Sequence, residues 1–139
     1  MNSTIEQVMT TDVVSCSKTA TVADAARLMR DRNIGDVLVT DNSGKLAGIV
    51  TDRDMVVRCL ADGADPNVTL GEVCTTDLAT LTRDASIDEA VRMMSERSMR
   101  RVPVVDRGKP IGIVSLGDLA IERDPQSALG EISAAAPTH

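Results

Sequence analysis

The feature that most constrains this chain is that it is written twice. Val8 to Arg58 and Val73 to Glu122 run in one register, with identities at Thr10/Thr75, Thr11/Thr76, Asp12/Asp77, Ala25/Ala90, Arg27/Arg92, Met29/Met94 and Val39/Val104. The register slips by one residue in a turn after Asp41/Asp106, then resumes through Gly48/Gly112, Ile49/Ile113 and Asp54/Asp118. An internal repeat of this span means that the fold is assembled from two copies of one small unit.

Each copy has the order of a β-α-β-β-α unit. Thr4–Met9 and Thr69–Cys74 read as short helical turns, and Val13–Cys16 and Leu78–Leu81 as short extended pieces. Val22–Asn33 and Ile87–Ser98 place apolar residues at helical spacing, which predicts a helix in each. Val37–Thr40 with Leu46–Val50, and Val102–Val105 with Ile111–Val114, read as strand pairs. Their turns are Asn42-Ser43-Gly44 and Arg107-Gly108. A second helix is expected over Arg53–Ala61 and Gly117–Arg123. The continuous Gly-Ile-Val before it suggests a strand covered on both faces.

A unit of about 50 residues buries too little surface to stand alone, so the two copies are expected to cover each other. The boundaries read from the sequence are repeat 1 over 4–61, a linker over 62–68 broken by Gly63 and Pro66, and repeat 2 over 69–123. The opening turn echoes once more: Thr4-Ile-Glu-Gln-Val-Met9 and Thr69-Leu-Gly-Glu-Val-Cys74 both resemble Ala128-Leu-Gly-Glu-Ile-Ser133. This predicts a short docked helix within residues 124–139, with a frayed end over Ala134–His139.

Composition narrows the function. A formal charge of −6 argues against a general nucleic-acid binder, which needs a basic surface to neutralise phosphates. Aromatic residues are absent, so the core is built from aliphatic side chains and methionine, and any bound base would lie between aliphatic groups. Three cysteines, Cys16, Cys59 and Cys74, form no CxxC pair, which argues for reduced thiols rather than a disulfide framework or a zinc site. No run approaches a membrane span and the start of the chain has no apolar signal core, so a reducing cytoplasm is the expected address.

The ordered double set of motifs resembles the cystathionine-beta-synthase (CBS) domain family, which occurs as tandem pairs. The residues that carry it are Gly48-Ile-Val-Thr-Asp-Arg-Asp54 and Gly112-Ile-Val-Ser-Leu-Gly-Asp118, with Arg100-Arg-Val-Pro-Val-Val-Asp106, Thr10-Thr-Asp12 and Thr75-Thr-Asp77. The match covers residues 4–123 and is nearest to the small stand-alone bacterial type. The resemblance implies an α/β (α+β) fold of two repeats packed about a pseudo-two-fold axis. It also implies adenine nucleotide binding in the cleft between repeats, and dimerisation.

It further assigns Asp54 and Asp118 to ribose, Thr51 and Ser115 to the vicinity of phosphate, and basic side chains such as Arg100 and Arg101 to phosphate. The chemistry agrees. A helix N-terminus presents free N–H groups to an anion, a carboxylate accepts from two ribose hydroxyls, and guanidinium binds phosphate in bidentate fashion. The plain alternative is that Thr51-x-x-Asp54 and Ser115-x-x-Asp118 are capping boxes, as Thr4/Gln7, Thr21/Asp24, Thr69/Glu72 and Ser86/Glu89 are expected to be. For Arg100 and Arg101 the alternative is a solvated edge or a dimer salt-bridge patch. Repeat 1 has Asp36 where repeat 2 has Arg101, and Leu38 in place of Pro103, so two unequal sites are expected.

No residue set supports bond breaking: the single histidine, His139, is terminal, and the methionines fall in apolar patterns. The expected function is therefore a non-enzymatic regulatory module that binds AMP, ADP, ATP or a related adenosine ligand, with no required cofactor. It is expected to self-associate as a homodimer, through apolar residues of Arg53–Ala61 and Gly117–Arg123, and to signal to an effector protein. The alternative is a ligand-free structural or stress-associated dimer.

Overall fold

The computed structural model describes residues 4–123. The element order is α1 (Ile5–Val8), β1 (Ser15–Ser17), α2 (Val22–Arg32), β2 (Asp36–Thr40), β3 (Leu46–Thr51), α3 (Asp52–Asp54) continuing into a π-helical segment (Met55–Leu60), α4 (Leu70–Val73), α5 (Ile87–Arg97), β4 (Arg101–Asp106), β5 (Lys109–Ser115) and α6 (Leu116–Arg123). This is the α+β repeat order expected from the sequence. The docked helix expected at Ala128–Ser133 and the end of the chain lie outside the described residues.

The compact units interleave in sequence. One consists of residues 4–13 with 79–123; the other is 14–78. Each strand-and-helix body is thus completed by the opening turn of the other sequence copy. In the first unit, Ile5 N–H donates to Ala85 O at 2.9 Å and Glu6 N–H to Arg83 O at 3.1 Å, while Thr10 and Ile113 exchange both backbone hydrogen bonds. In the second, Leu70 N–H donates to Ala20 O at 2.8 Å and Gly71 N–H to Lys18 O at 2.9 Å, and Thr75 and Ile49 make the matching exchange. Ile5 and Leu70 are both fully buried.

Each unit has its own core. Val22, Ala25 and Met29 of α2 pack with Val37, Val39 and Val50 of the sheet and with Leu70 and Val73 of α4. Ile87, Ala90 and Met94 of α5 pack with Val102, Val104 and Val114, together with Ile5 and Leu119. The helical spacing in the sequence identified these faces. The long helices start on Thr21 and Ser86, whose hydroxyls accept the N–H of Asp24 and Glu89, and end on Asn33 and Ser98 in the left-handed region.

The sheets differ in one informative way. β1-β2-β3 is three-stranded, β1 lying parallel to β2, whereas β4-β5 stands as a pair with only a single parallel bridge from Leu81 to Val104. In the first sheet Leu38 N–H donates to Val14 O at 3.1 Å. Pro103 occupies the equivalent place in β4 and has no N–H to give, so the expected strand at Leu78–Leu81 shrinks to one rung. The hairpin turns are as expected: Arg107 and Gly108 both take positive φ (54° and 84°), the type I′ requirement, and Gly44 takes 80°.

The second helix of repeat 1 departs from expectation. After α3 the chain widens to i→i+5 hydrogen bonding over Met55–Leu60, with Ala61 N–H reaching Val56 O at 2.8 Å. Met55 and Cys59 turn inward, leaving Val56, Val57 and Leu60 exposed.

Candidate functional site

In the first unit, β5 delivers Ser115 to the sheet edge and α6 starts at once with Leu116. Ser115 Oγ accepts the Asp118 N–H and Asp118 Oδ2 accepts the Ser115 N–H, each at 3.0 Å. Both residues are half-buried. Arg101 opens β4 and is the register partner of Ser115 across the ladder. Arg100 precedes it, exposed, and its carbonyl accepts from Leu116 N–H at 2.7 Å. The structure therefore brings Arg100, Arg101, Ser115 and Asp118 to one end of one sheet. The hydroxyl–carboxylate pair is fixed by two backbone bonds, and the carboxylate's Oδ1 takes no part in that box.

In the second unit the same geometry recurs with a different charge. Thr51 Oγ1 accepts from Asp54 N–H and Asp54 Oδ2 from Thr51 N–H, each at 3.0 Å. Asp54 Oδ1 lies 3.8 Å from Arg58 Nε, and its side chain is only 18 % exposed. The register partner of Thr51 is Asp36. An anionic ligand at this edge meets a carboxylate where the first unit offers a guanidinium.

The capping reading of these motifs is realised in full at both places. It is also realised at Thr4/Gln7, Thr21/Asp24 and Thr69/Glu72, while Ser86/Glu89 keeps only the bond to the helix N–H. What sets Thr51/Asp54 and Ser115/Asp118 apart is their place: the hydroxyl residue ends a strand whose Val50 or Val114 is fully buried, and the helix starts at once.

Sequence reasoning named Gly48 and Gly112 but gave them no packing role. A Cβ on Gly48 would stand 2.6 Å from Cys74 Sγ and 2.7 Å from Thr75 O; one on Gly112 would stand 2.5 Å from Met9 Sδ and 3.0 Å from Thr10 O. They are the floor on which the exchanged turns rest, and their recurrence in both copies was the visible signal. The cysteines are all free. Burial, with Asp24 adding to it, pushes the Cys16 thiol up, and burial pushes Cys74 up, so these thiols stay protonated at neutral pH. Among the described residues no group of His, Cys, Asp and Glu is placed to hold a metal ion.

The CBS-domain family model matches residues 5–60 and 70–123. The chain belongs to the CBS-domain family. A Bacillus subtilis CBS domain-containing protein, YhcV, is 36% identical over 128 residues, covering 92% of this chain and 91% of that one. Hypoxic response protein 1 of Mycobacterium tuberculosis is 36% identical over 118 residues, covering 84% and 82%. The crystal structure of Hypoxic Response Protein I, with two coordinated zinc ions, superposes with a TM-score of 0.78 at 35% identity over 85% of this chain and 97% of that one. The CBS domain pair of protein MJ0100, solved with 5'-methylthioadenosine and S-adenosyl-L-methionine, gives a TM-score of 0.79 over 91% of this chain and 100% of that one. At 24% identity it speaks for the fold alone. In the described part of this CBS pair no helix is long and apolar enough to cross a membrane.

Proposed function

We propose that this CBS pair is a regulatory module that binds an adenosine nucleotide of the AMP, ADP or ATP class beside Arg101, Ser115 and Asp118, and relays binding by changed packing or dimer geometry to an effector protein. The observation that carries the reading is the register pairing of Arg101 with Ser115 at the strand end from which α6 starts. That pairing supports contact of phosphate with the Arg101 guanidinium and the Ser115 hydroxyl, and of ribose with the half-buried Asp118 carboxylate. The Asp36 edge is the weaker candidate, because its carboxylate opposes phosphate. No required cofactor and no chemical step belong to this reading, and the unpaired thiols accord with a reducing cytoplasm.

Calorimetric titration with AMP, ADP, ATP, NAD and S-adenosylmethionine tests it. Saturable heat with at least one of them is expected; no heat and no melting shift at millimolar ligand would overturn it.

One observation favours a second reading, a ligand-free interaction dimer. Val56, Val57 and Leu60 are 56%, 49% and 64% exposed on one segment, the residues for which the sequence anticipated a dimer face. In α6, Leu119 of the other expected segment is buried, and Leu116, one residue before that segment, is 42% exposed. Homodimerisation fits both readings; only nucleotide binding separates them.

A further inference from the structure

Pro103 does more than shorten a strand. In the second unit Leu38 N–H donates to Val14 O at 3.1 Å and holds the chain before β1 against β2. Ala79 is the counterpart of Val14, and Pro103 of Leu38. Proline has no N–H, and among the described residues none donates to Ala79 O in its stead. The segment still lies beside β4, because Leu81 N–H donates to Pro103 O at 3.0 Å and Val105 N–H to Leu81 O at 2.9 Å. Ala79 is itself buried, and the great majority of buried backbone carbonyls are paired. An acceptor left open in such a place calls for a donor from outside the chain.

The surroundings of that carbonyl suit a flat, uncharged group. Ala79 and Thr80 line an open cleft of about 410 Å³ whose other lining residues belong to α5. Met93 contributes a thioether, a polarizable surface for an aromatic ring in a chain with no aromatic side chain. Arg92 and Arg97 are matched in the lining by Glu89 and Glu96, so its formal charge is balanced and it does not draw a phosphate. The group that does is close by. Pro103 stands two residues along β4 from Arg101, the register partner of Ser115, a separation of about 7 Å along the strand. One nucleotide spans that separation.

We propose, on the nucleotide reading above, that Pro103 is a specificity-determining residue: by lacking an N–H it leaves Ala79 O to accept the exocyclic amino group of a 6-aminopurine. A 6-oxopurine carries an oxygen where the amino group would be, so two acceptors face each other and the carbonyl stays unpaired. The second unit has no such selector, since Leu38 N–H already fills Val14 O.

AMP and IMP differ at this end of the base, and calorimetric titration of the full chain with both is the test. AMP is expected to bind at least about tenfold more tightly than IMP. Pro103→Leu, which installs the residue of the other repeat, should weaken AMP binding by about tenfold and bring the two ligands level. The amide it introduces should exchange as slowly as that of Leu38, because it bonds to Ala79 O; a fast-exchanging amide at position 103 counts against the proposal. Equal affinity of the native protein for AMP and IMP, or an AMP preference that survives Pro103→Leu, would overturn it while leaving nucleotide binding standing. No heat with any adenosine ligand removes the nucleotide reading and this proposal together. Should Pro103→Leu fail to fold, purine riboside 5′-monophosphate, which lacks the amino group, makes the comparison on the native protein. Weaker binding than AMP is expected, and equal binding would rule out Ala79 O as the acceptor.

Discussion

Arg101 is the register partner of Ser115 at the end of the β4–β5 ladder. The same rung of the other sheet joins Asp36 to Thr51. Two hairpins of one design therefore present opposite charges beside the same hydroxyl–carboxylate pair. A charge-assisted hydrogen bond to phosphate contributes about 1.5–3 kcal/mol. Arg101→Asp should weaken AMP binding by roughly tenfold or more while leaving the melting midpoint of the free protein within a few degrees. Asp36→Arg should leave binding intact or strengthen it. Titration calorimetry on the two variants reads both effects, and an Arg101→Asp protein with undiminished affinity would remove phosphate from this edge.

Asp118 has two uses that one substitution separates. As a cap, its Oδ2 holds the Ser115 N–H, and loss of such a group costs about 1 kcal/mol. As a ribose acceptor, its loss abolishes nucleotide binding. Asp118→Ala is expected to lower the midpoint by only a few degrees and to eliminate the heat of AMP titration. Destabilisation with unchanged binding would leave the motif as a cap alone.

The two floor glycines should differ in what they tolerate. At Gly48 a methyl group meets Thr75 O, a backbone atom in a two-bond ladder, at 2.7 Å. At Gly112 the nearest atom belongs to the flexible Met9 side chain, and the backbone contact, Thr10 O, is at 3.0 Å. Overpacking costs about 1–3 kcal/mol. Gly48→Ala should fall at the upper end and Gly112→Ala at the lower, as read from urea unfolding midpoints. The opposite order would mean that Met9 is held more tightly than Thr75.

Most of the fold was legible because its signals are local and doubled. The spacing of Val22, Ala25 and Met29 recurs in Ile87, Ala90 and Met94, and the same residues line the two cores. Arg107-Gly108 marked its turn by composition. Three features were not legible, each for a physical reason. The exchange of opening turns is a long-range choice: Ile5 and Leu70 hold the same place in the repeat, and nothing local assigns either to one body. The missing strand at Leu78–Leu81 follows from one absent N–H, at Pro103, on the neighbouring strand. The π turn over Met55–Leu60 has neither glycine nor proline to announce it. As for the candidate site, its six proposed residues come from sequence motifs, but sequence could not tell that Arg101 pairs with Ser115 while Asp36 pairs with Thr51, since register is set by tertiary pairing.

Acid should loosen the turns before it reaches the cores. Backbone N–H groups of Ser43 and Lys45 hold the Asp41 carboxyl below the usual range, Thr21 does the same for Asp24, and the Thr82 hydroxyl does so for Asp84. Each group has a depressed folded value, so its contribution is fully present above the unfolded value near 3.9 and is lost as pH falls through the folded value. Stability should therefore be flat with respect to these groups above about pH 5 and decline below about pH 4. Asp41→Ala should lower the plateau and flatten that acid limb, measured as urea midpoint against pH. An acid limb unaltered in the variant would mean that Asp41 does not contribute to it.

The π segment is where self-association is expected to be decided. A regular α-helix over Met55–Leu60 advances about 100° per residue; the wider π turn advances less. Here it leaves Met55 and Cys59 in the core and gathers Val56, Val57 and Leu60 on the solvent side. An exposed apolar cluster of this kind is normally covered, and a symmetric dimer covers it with its own copy. Because about half or more of each side chain is exposed, replacing them removes little packing within the unit. Leu60→Glu should therefore convert a dimer to a monomer with little loss of stability of the separated chain, and pairing with Val57→Lys should complete the effect. Light scattering at micromolar concentration checks it: twice the chain mass is expected for the native protein and the single chain mass for the variant. A native protein that scatters as a monomer would leave the apolar face to a different partner, and a variant that remains dimeric would place the interface elsewhere, with Leu116 of α6 the next residue to change.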